Sequence, residues 1–341
     1  MLKRAKRPRR SAVGAVLVVS LVALGTASCS SSPDQRPPPT IVPASPAVAP
    51  PITTAPAGEV RRLPVKARAA VFDAATSSLV VLSDDGLTVM PSAGDPRKVA
   101  LPTGATALTG DGHGLVYLST RGGYLRVDVR AGQATTMRVD GHDSTEFTAI
   151  ARRSDGRLVL GSADGAVFTL GSDTAVAAEV KVFARVDSLV TQGNTAVVLD
   201  RGQTSVTTID ASGSKAQHAL LAGEGATTLA ADPAGRVLVA DTRGDELLVF
   251  GTEPLMLRQR YPVRNAPYGL AGTRTLAWVS LTAANVVVGY DLATGIPVEK
   301  VRYPTVRQPD VLAFDDATDT LYVASASGDG VQVLNNAGRP P

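Results

Sequence analysis

The sequence contains few of the residues that usually mark a catalytic or disulfide-rich protein. It has 1 cysteine and 3 histidines in 341 residues, and aromatic side chains make up 4% of the chain. A single cysteine excludes an intrachain disulfide. The histidines are scattered and show no spacing typical of a zinc site. Hydrophobic residues still make up 44% of the chain, so a core must be built mainly from Val, Leu and Ala.

Acidic residues are absent before Asp34, whereas six Lys and Arg residues lie among the first ten positions. The formal net charge is +3, but without this basic cluster 28 basic residues face 31 acidic ones, a balance of −3. Electrostatic support for binding nucleic acid is therefore confined to the start of the chain. We expect no nucleic-acid partner.

Residues 1–28 have the three parts of an export signal: a basic cluster, an apolar run and small residues. The apolar run from Ala12 to Gly25 has 14 residues, fewer than the roughly 20 that a transmembrane helix needs. We therefore predict a signal peptide. The pair Arg9 and Arg10 leaves twin-arginine export open, although the residues after it favour the general secretory route.

The end of this leader, Thr26-Ala27-Ser28-Cys29, resembles the lipobox of bacterial lipoproteins. The motif more often has Leu where Thr26 stands. The resemblance implies that Cys29 is lipidated and holds the chain to the extracytoplasmic face of the cell membrane, since two or more acyl chains give stable anchoring. The alternative is an incidental cysteine in a plain secretory signal or a signal anchor.

Residues 29–58 comprise Cys29 and a stretch rich in Pro, Ala, Ser and Thr. Proline lacks an amide donor and fixes φ, so this segment is predicted to be a semi-rigid, polyproline-like spacer. At about 3.1 Å per residue it would hold a domain up to roughly 90 Å from the lipid. The alternative is a proline-rich motif for a partner.

Short apolar runs separated by turn-forming residues recur through the rest of the chain. In the clearest stretch we predict four strands joined by tight turns, at Thr227–Ala231, Arg236–Ala240, Glu246–Phe250 and Leu257–Tyr261. The first apolar residue of the second strand recurs seven times, at Leu79, Leu115, Leu158, Ala196, Val237, Leu276 and Leu321. A period of about forty residues with four strands is typical of a β-propeller blade.

Residues 59–338 are thus predicted to form an all-β, seven-bladed β-propeller with four antiparallel strands per blade, followed by a tail at 339–341. Six or eight blades remain the alternatives. The seventh unit, from Asp310 to Gly338, has only three strands. We therefore expect Glu59–Arg68 to supply the outer strand of the last blade, which would leave no long sheet edge exposed.

A turn of the form Asp-x-x-(x)-Gly follows the third strand in several units, as in Asp210–Gly213 and Asp291–Gly295. With the apolar strands, this pattern resembles the YVTN/YncE-like propellers. Together with the lipobox and the Ala- and Arg-rich composition, it resembles actinobacterial propeller lipoproteins. The resemblance covers roughly residues 59–338 and implies a fold, not an activity. The Trp-Asp pair of WD40 blades is missing.

In a propeller, ligands usually meet the face formed by the inter-blade loops and by the turns between second and third strands. We expect an envelope protein or a polar ligand to bind there. Solvated turn residues without a partner are the alternative. The candidate residues carry charges of both signs and are His142, Asp143, Asp187, Arg264, Asn265, Arg307, Asp310, Arg243 and Asp245.

The sequence contains no Gly-x-Ser-x-Gly nucleophile motif and no glycine loop for phosphate, so we assign no catalytic residue and no cofactor. Propeller lactonases hold a divalent ion in the central channel, and Asp187, Asn265 and Asp310 could converge there around Ca²⁺ or Mg²⁺. We therefore expect a lipid-anchored, non-catalytic binding or scaffold module. A metal-dependent envelope hydrolase or lactonase is the alternative.

Overall fold

The computed structural model describes residues 38–339, so the predicted signal peptide and Cys29 lie outside the described residues. Within this range every regular element is a β-strand, and the strands form seven four-stranded antiparallel sheets. The prediction of an all-β, seven-bladed β-propeller is confirmed. None of the described residues belongs to a helix long and apolar enough to span a bilayer.

The first strand in the chain is β1 (Glu59–Arg61), and the blades follow it in order, each running from its inner to its outer strand. The strands of the first three blades are β2 (Ala67–Asp73), β3 (Ser78–Ser83), β4 (Gly86–Pro91) and β5 (Arg97–Val99); β6 (Ala107–Gly110), β7 (Leu115–Thr120), β8 (Gly123–Asp128) and β9 (Gln133–Arg138); β10 (Phe147–Arg152), β11 (Leu158–Ser162), β12 (Ala166–Leu170) and β13 (Val176–Lys181).

The remaining four blades complete the ring. Their strands are β14 (Ser188–Gln192), β15 (Thr195–Asp200), β16 (Ser205–Ile209) and β17 (Ala216–Leu221); β18 (Ala226–Ala231), β19 (Arg236–Asp241), β20 (Glu246–Thr252) and β21 (Leu255–Pro262); β22 (Pro267–Gly272), β23 (Ala277–Leu281), β24 (Val286–Asp291) and β25 (Val298–Pro304); β26 (Val311–Asp315), β27 (Thr320–Ala324) and β28 (Val331–Leu334).

The last blade has β1 as its fourth strand. β1 runs antiparallel to β28, with Glu59 opposite Val333 and Arg61 opposite Val331. Only residues 59–61 of the expected segment 59–68 lie in this strand. The chain leaves the edge after Arg61 because Leu63 and Val65 are buried between blades 7 and 1, and Arg68 already belongs to β2.

The second strands are mainly apolar between their ends because both of their faces are covered by neighbouring blades. In β3 every residue is buried. Leu79 and Val81 pack with blade 7, whereas Val80 and Leu82 pack with blade 2. Since successive side chains of a strand point to opposite faces, one strand serves two interfaces. The outer strands face solvent, and β17 is almost entirely exposed.

The turns after the third strands have the predicted chemistry in blades 2, 4 and 6. Asp128 accepts a hydrogen bond from the Ala131 amide at 2.7 Å, and Gly132 takes a positive φ of 67°. The turn after β28 differs. There Asn336 takes the positive φ, at 51°, and the side chain of Asn335 instead accepts a hydrogen bond from the Thr320 hydroxyl at 3.2 Å.

Candidate functional site

One face of the ring carries all the turns between second and third strands together with all the inter-blade connections. These segments meet at the same end because the strands of each blade alternate in direction. We call this surface the loop face. All nine predicted binding residues lie in these segments, which occupy positions 62–66, 84–85, 100–106, 121–122, 139–146, 163–165, 182–187, 201–204, 222–225, 242–245, 263–266, 282–285, 305–310 and 325–330.

Two buried carboxylates shape the loop face at blades 4 and 5. Asp241, at the end of β19, is fully buried and accepts hydrogen bonds from the amides of Glu224, Gly225 and Gly244 at 2.8, 2.8 and 3.0 Å. Asp200 occupies the same place in β15 and accepts from the amide of Ala184 at 2.7 Å. Each carboxylate thereby fixes an inter-blade loop. This role was not predicted from sequence, although an acidic residue at the end of a mainly apolar strand was its visible signal.

Part of the predicted spacer lies on the loop face. Residues 40–50, which we call the strap, cross it from blade 4 to the connection between blades 6 and 7. The strap makes eight hydrogen bonds with the propeller, and each of them uses a backbone N–H or C=O group of the strap. The reach of about 90 Å expected for a free spacer does not apply while these contacts hold.

Gln308 and Asn285 bind the C-terminal half of the strap. The Gln308 side chain accepts a hydrogen bond from the Ala49 amide at 2.9 Å and donates one to the Ala47 carbonyl at 2.9 Å. Asn285 donates to the Pro50 carbonyl at 2.8 Å and accepts from the Gln308 amide at 3.2 Å. Both residues have a positive φ, 54° for Gln308 and 50° for Asn285, a conformation that is uncommon outside glycine and concentrates at functional sites.

Three arginines bind carbonyl groups of the strap. Arg243 donates to the Val42 carbonyl at 2.6 Å, and Arg201 donates to the Ala44 carbonyl. Arg307 donates to the Ala49 carbonyl at 3.3 Å. In the same turn as Arg201, the Gly202 carbonyl accepts a hydrogen bond from the Ile41 amide at 2.7 Å. Positive side chains thus meet the partial negative charge of backbone oxygens along the strap.

The strap divides the predicted binding residues into two groups. Arg243 and Arg307 bind the strap directly, and Asp310 accepts a hydrogen bond from Gln308 at 2.8 Å. Asp245 accepts from the Ala266 amide at 2.9 Å and so holds the loop containing Arg264 and Asn265, which are both exposed. These residues belong to the covered half of the loop face, at blades 4–7.

The open half of the loop face, at blades 1–3, carries His142 and Asp143, and Asp187 lies at the boundary, in the connection between blades 3 and 4. His142 is half-buried, with its ring 4.6 Å from that of Phe168, and Asp143 beside it is exposed. Among the described residues, neither Asp143 nor the exposed Arg121 has a side-chain hydrogen bond or ion pair. A depression of about 720 Å³ adjoins this half, lined by Arg68, Asp84, Asp85 and Lys98 among others.

Two of the three candidate metal ligands, Asp187 and Asp310, bind other groups of the protein. Asp187 accepts from the Arg201 amide at 2.8 Å and pairs with Arg185 at 3.3 Å. Asp310 is bound to Gln308, and Asn265 has a positive φ of 76°. Among residues 38–339, no group of three or more His, Cys, Asp or Glu side chains is arranged to hold a metal ion.

Burial changes the acidity of the groups near the inner ends of the blades. It raises the pKa of Asp310 to about 6, although the hydrogen bond from Gln308 acts to lower it. Burial also raises the pKa of Asp187, against the effect of the Arg201 amide. The pKa of Tyr268 is raised by burial as well, and the charge of Asp310 adds to that effect. Asp310 therefore titrates closer to neutrality than an ordinary carboxyl group.

The fold is shared with solved structures of very different sequence. A chain of the mitotic checkpoint complex superposes with a TM-score of 0.71 at 13% identity, covering 86% of this chain and 99% of that one. Streptogramin B lyase gives 0.67 at 10% identity, with 81% and 96% covered. Hydrazine synthase from Kuenenia stuttgartiensis gives 0.65 at 15% identity, with 81% and 97% covered.

At these identities the likeness shows the fold alone, and it defines this chain as a β-propeller protein. No protein-family model matches the chain, and no curated protein matches it in sequence.

Proposed function

We propose that this chain is a lipid-anchored lipoprotein of the cell envelope, related to the YVTN/YncE-like propeller lipoproteins, whose propeller binds an envelope protein or a polar ligand without catalysis. In this proposal Cys29 carries the lipid and the chain lies on the extracytoplasmic side of the cell membrane. The proposal places the binding site on the open half of the loop face.

The observation that carries this proposal is the difference in occupancy across the loop face. At blades 4–7 the strap engages Arg243, Gln308 and other polar side chains, whereas Arg121 and Asp143 at blades 1–3 are exposed and lack a described partner. Exposed charged groups on short loops between paired strands can form hydrogen bonds and ion pairs without a large ordering cost. The depression lined by Arg68, Asp84 and Lys98 adds room for a polar group of the partner.

Photo-crosslinking in intact cells tests the position of the binding site. A photo-crosslinking amino acid replaces either Asp143, on the open half, or His218, which is exposed on the outer strand β17. We expect a cross-linked product of defined mass from position 143 and none from position 218. Equal labelling at the two positions, or none at position 143, would reject the open half as the binding site.

The anchoring is tested in the same cells with Cys29→Ala. Loss of the thiol removes the site of lipid attachment, so we expect this variant to lose lipid labelling and to move from the membrane fraction to the medium. Full membrane retention would reject lipid anchoring at Cys29. It would leave the cross-linking result intact, so the two parts of the proposal can fail separately.

The alternative of a metal-dependent hydrolase keeps Asp187, Asn265 and Asp310 as its candidate ligands. Burial disfavours the charged forms of Asp187 and Asp310, and a bound cation would offset that cost. Calorimetric titration with Ca²⁺ or Mg²⁺ distinguishes the two functions. Tight binding that is lost in Asp310→Asn would favour the hydrolase.

A further inference from the structure

We infer that the covered half of the loop face is a binding site for an extended peptide rich in proline and alanine, occupied here by the chain's own strap. A second peptide of the same chemistry would bind there when the strap leaves. This inference does not depend on lipid anchoring or on the partner of the open half.

The site recognises backbone, not particular side chains. The propeller bonds to the strap through N–H groups of Ile41, Ala47 and Ala49 and through carbonyl groups along its length. The larger strap side chains point away, and Val42 and Val48 are 80% and 85% exposed. Recognition of this kind favours any extended chain that presents its amides at the same spacing.

The side chains that do face the propeller are small. Ala44 and Ala49 are 7% and 2% exposed. Prolines alternate with these positions at Pro43, Pro46 and Pro50, so several strap residues need no hydrogen-bond acceptor. An extended, proline-rich peptide also loses little conformational entropy on binding. The ligand class that fits is therefore an extended peptide with small residues between prolines.

Two glycines provide space for the strap. A Cβ atom at Gly202 would lie 3.0 Å from Cγ2 of Thr40, and one at Gly225 would lie 3.0 Å from Cβ of Ala44. Neither glycine adopts the left-handed backbone region, so backbone conformation does not require glycine at either position. At Gly202 the strap is the nearest neighbour, whereas at Gly225 Cβ of Arg243, at 2.8 Å, lies nearer than Ala44, so the strap and Arg243 together leave no room for a side chain there. Together with Gln308 and Asn285, they make this half a formed site and not a chance contact.

The inference is tested by opening the site in the full-length protein. In Ala49→Arg a long charged side chain replaces a buried methyl group, so the strap should leave the face. The blades should stay folded, because the strap lies outside their cores. Val48→Arg is the matched control, since Val48 is exposed and the new side chain can extend into solvent.

Amide exchange measured by NMR reports whether the strap is bound. In the wild type and in Val48→Arg we expect slow exchange at Ile41, Ala47 and Ala49, which donate hydrogen bonds to the propeller. In Ala49→Arg we expect exchange at positions 41 and 47 to become at least ten-fold faster. Unchanged exchange in this variant would overturn the inference, because the buried position would then not hold the strap.

Binding in trans is measured with a fluorescent synthetic peptide of residues 38–52. In the wild type the tethered strap competes at an effective concentration on the order of millimolar, so binding should be weak. We expect Ala49→Arg to bind the peptide at least ten-fold more tightly than Val48→Arg does. Adding Gln308→Ala to Ala49→Arg should remove most of that gain. Absence of peptide binding once the strap is released would overturn the inference.

Discussion

The two halves of the loop face are built from the same blade architecture but differ in how their polar groups are used. At blades 4–7, the side chains of Gln308, Asn285 and Arg243 bind the strap. At blades 1–3, Arg121 and Asp143 remain exposed and without a described partner. Position in the fold therefore does not decide whether a loop residue is available for binding.

The comparison extends to the residue that ends each second strand. In blades 4 and 5 this residue is a buried aspartate, whereas the second strands of blades 1–3 end with Ser83, Thr120 and Ser162. A carboxylate accepts several charge-assisted hydrogen bonds, and a hydroxyl makes fewer and weaker ones. The loops at blades 4 and 5, which support the N-terminal half of the strap, are thus fixed more strongly than those of blades 1–3.

The largest effect is expected from removing one of these carboxylates. Asp241→Ala leaves the amides of Glu224, Gly225 and Gly244 without their acceptor, and we expect a loss of about 3–5 kcal/mol in the free energy of unfolding. Ser83→Ala, the equivalent change in blade 1, should cost about 1 kcal/mol. Denaturant unfolding measures both variants. Equal losses would remove this distinction between the halves.

A smaller effect is expected from Asp310, which lies in the covered half. Its folded pKa of about 6 exceeds its ordinary value of 3.8. Its contribution to stability is therefore fully present below pH 4 and is lost as pH rises through about 6. Asp310→Asn cannot ionise at this position, so its stability should fall less than that of the wild type over this range and should be about 1–2 kcal/mol higher at pH 7, with allowance for partial exposure.

Melting temperatures between pH 4 and 7 measure this difference. Glu59, which is exposed on β1, provides the control Glu59→Gln, and we expect that variant to keep the wild-type slope. A wild-type protein whose stability does not fall between pH 4 and 6 would contradict the prediction.

The smallest effect is expected in the open half, at Arg68. Its ion pair with Asp84 spans 2.9 Å, but the two side chains are 44% and 74% exposed. Solvent screens such a pair, so Arg68→Ala should change the free energy of unfolding by less than about 1 kcal/mol. Thermal unfolding checks this. A substantially larger loss would mean that the charges of this half serve stability, and would weaken the case for a binding surface there.

Much of the fold followed from sequence because each blade repeats the same local signals. Apolar second strands and turn residues at a period near forty predicted seven blades, and the structure contains them. Strand ends were less predictable. Gly251-Thr252-Glu253-Pro254 was predicted as a turn, yet β20 continues to Thr252 and β21 begins at Leu255. Cross-strand pairing extended both strands beyond the limits that local composition suggested.

The strap could not be predicted from its own residues. Its proline content indicates an extended segment without a core, and that prediction describes its local conformation well. Its partners Gln308 and Asn285 lie more than 230 residues away in sequence. Each of them binds the strap through one side-chain amide group. An isolated Gln or Asn produces no recognisable pattern in composition or spacing. The site became visible only when the ring placed these amides beside the strap.

The route of the strap also determines how the molecule would respond to mechanical load. A pull on the chain ahead of residue 40 would reach the bonds at Gly202, Arg243 and Gln308 in turn, and would reach β1 only after them. Weak links that break one after another dissipate tension before it reaches the strand that closes the ring. The strap would therefore protect the pairing of β1 with β28 from tension.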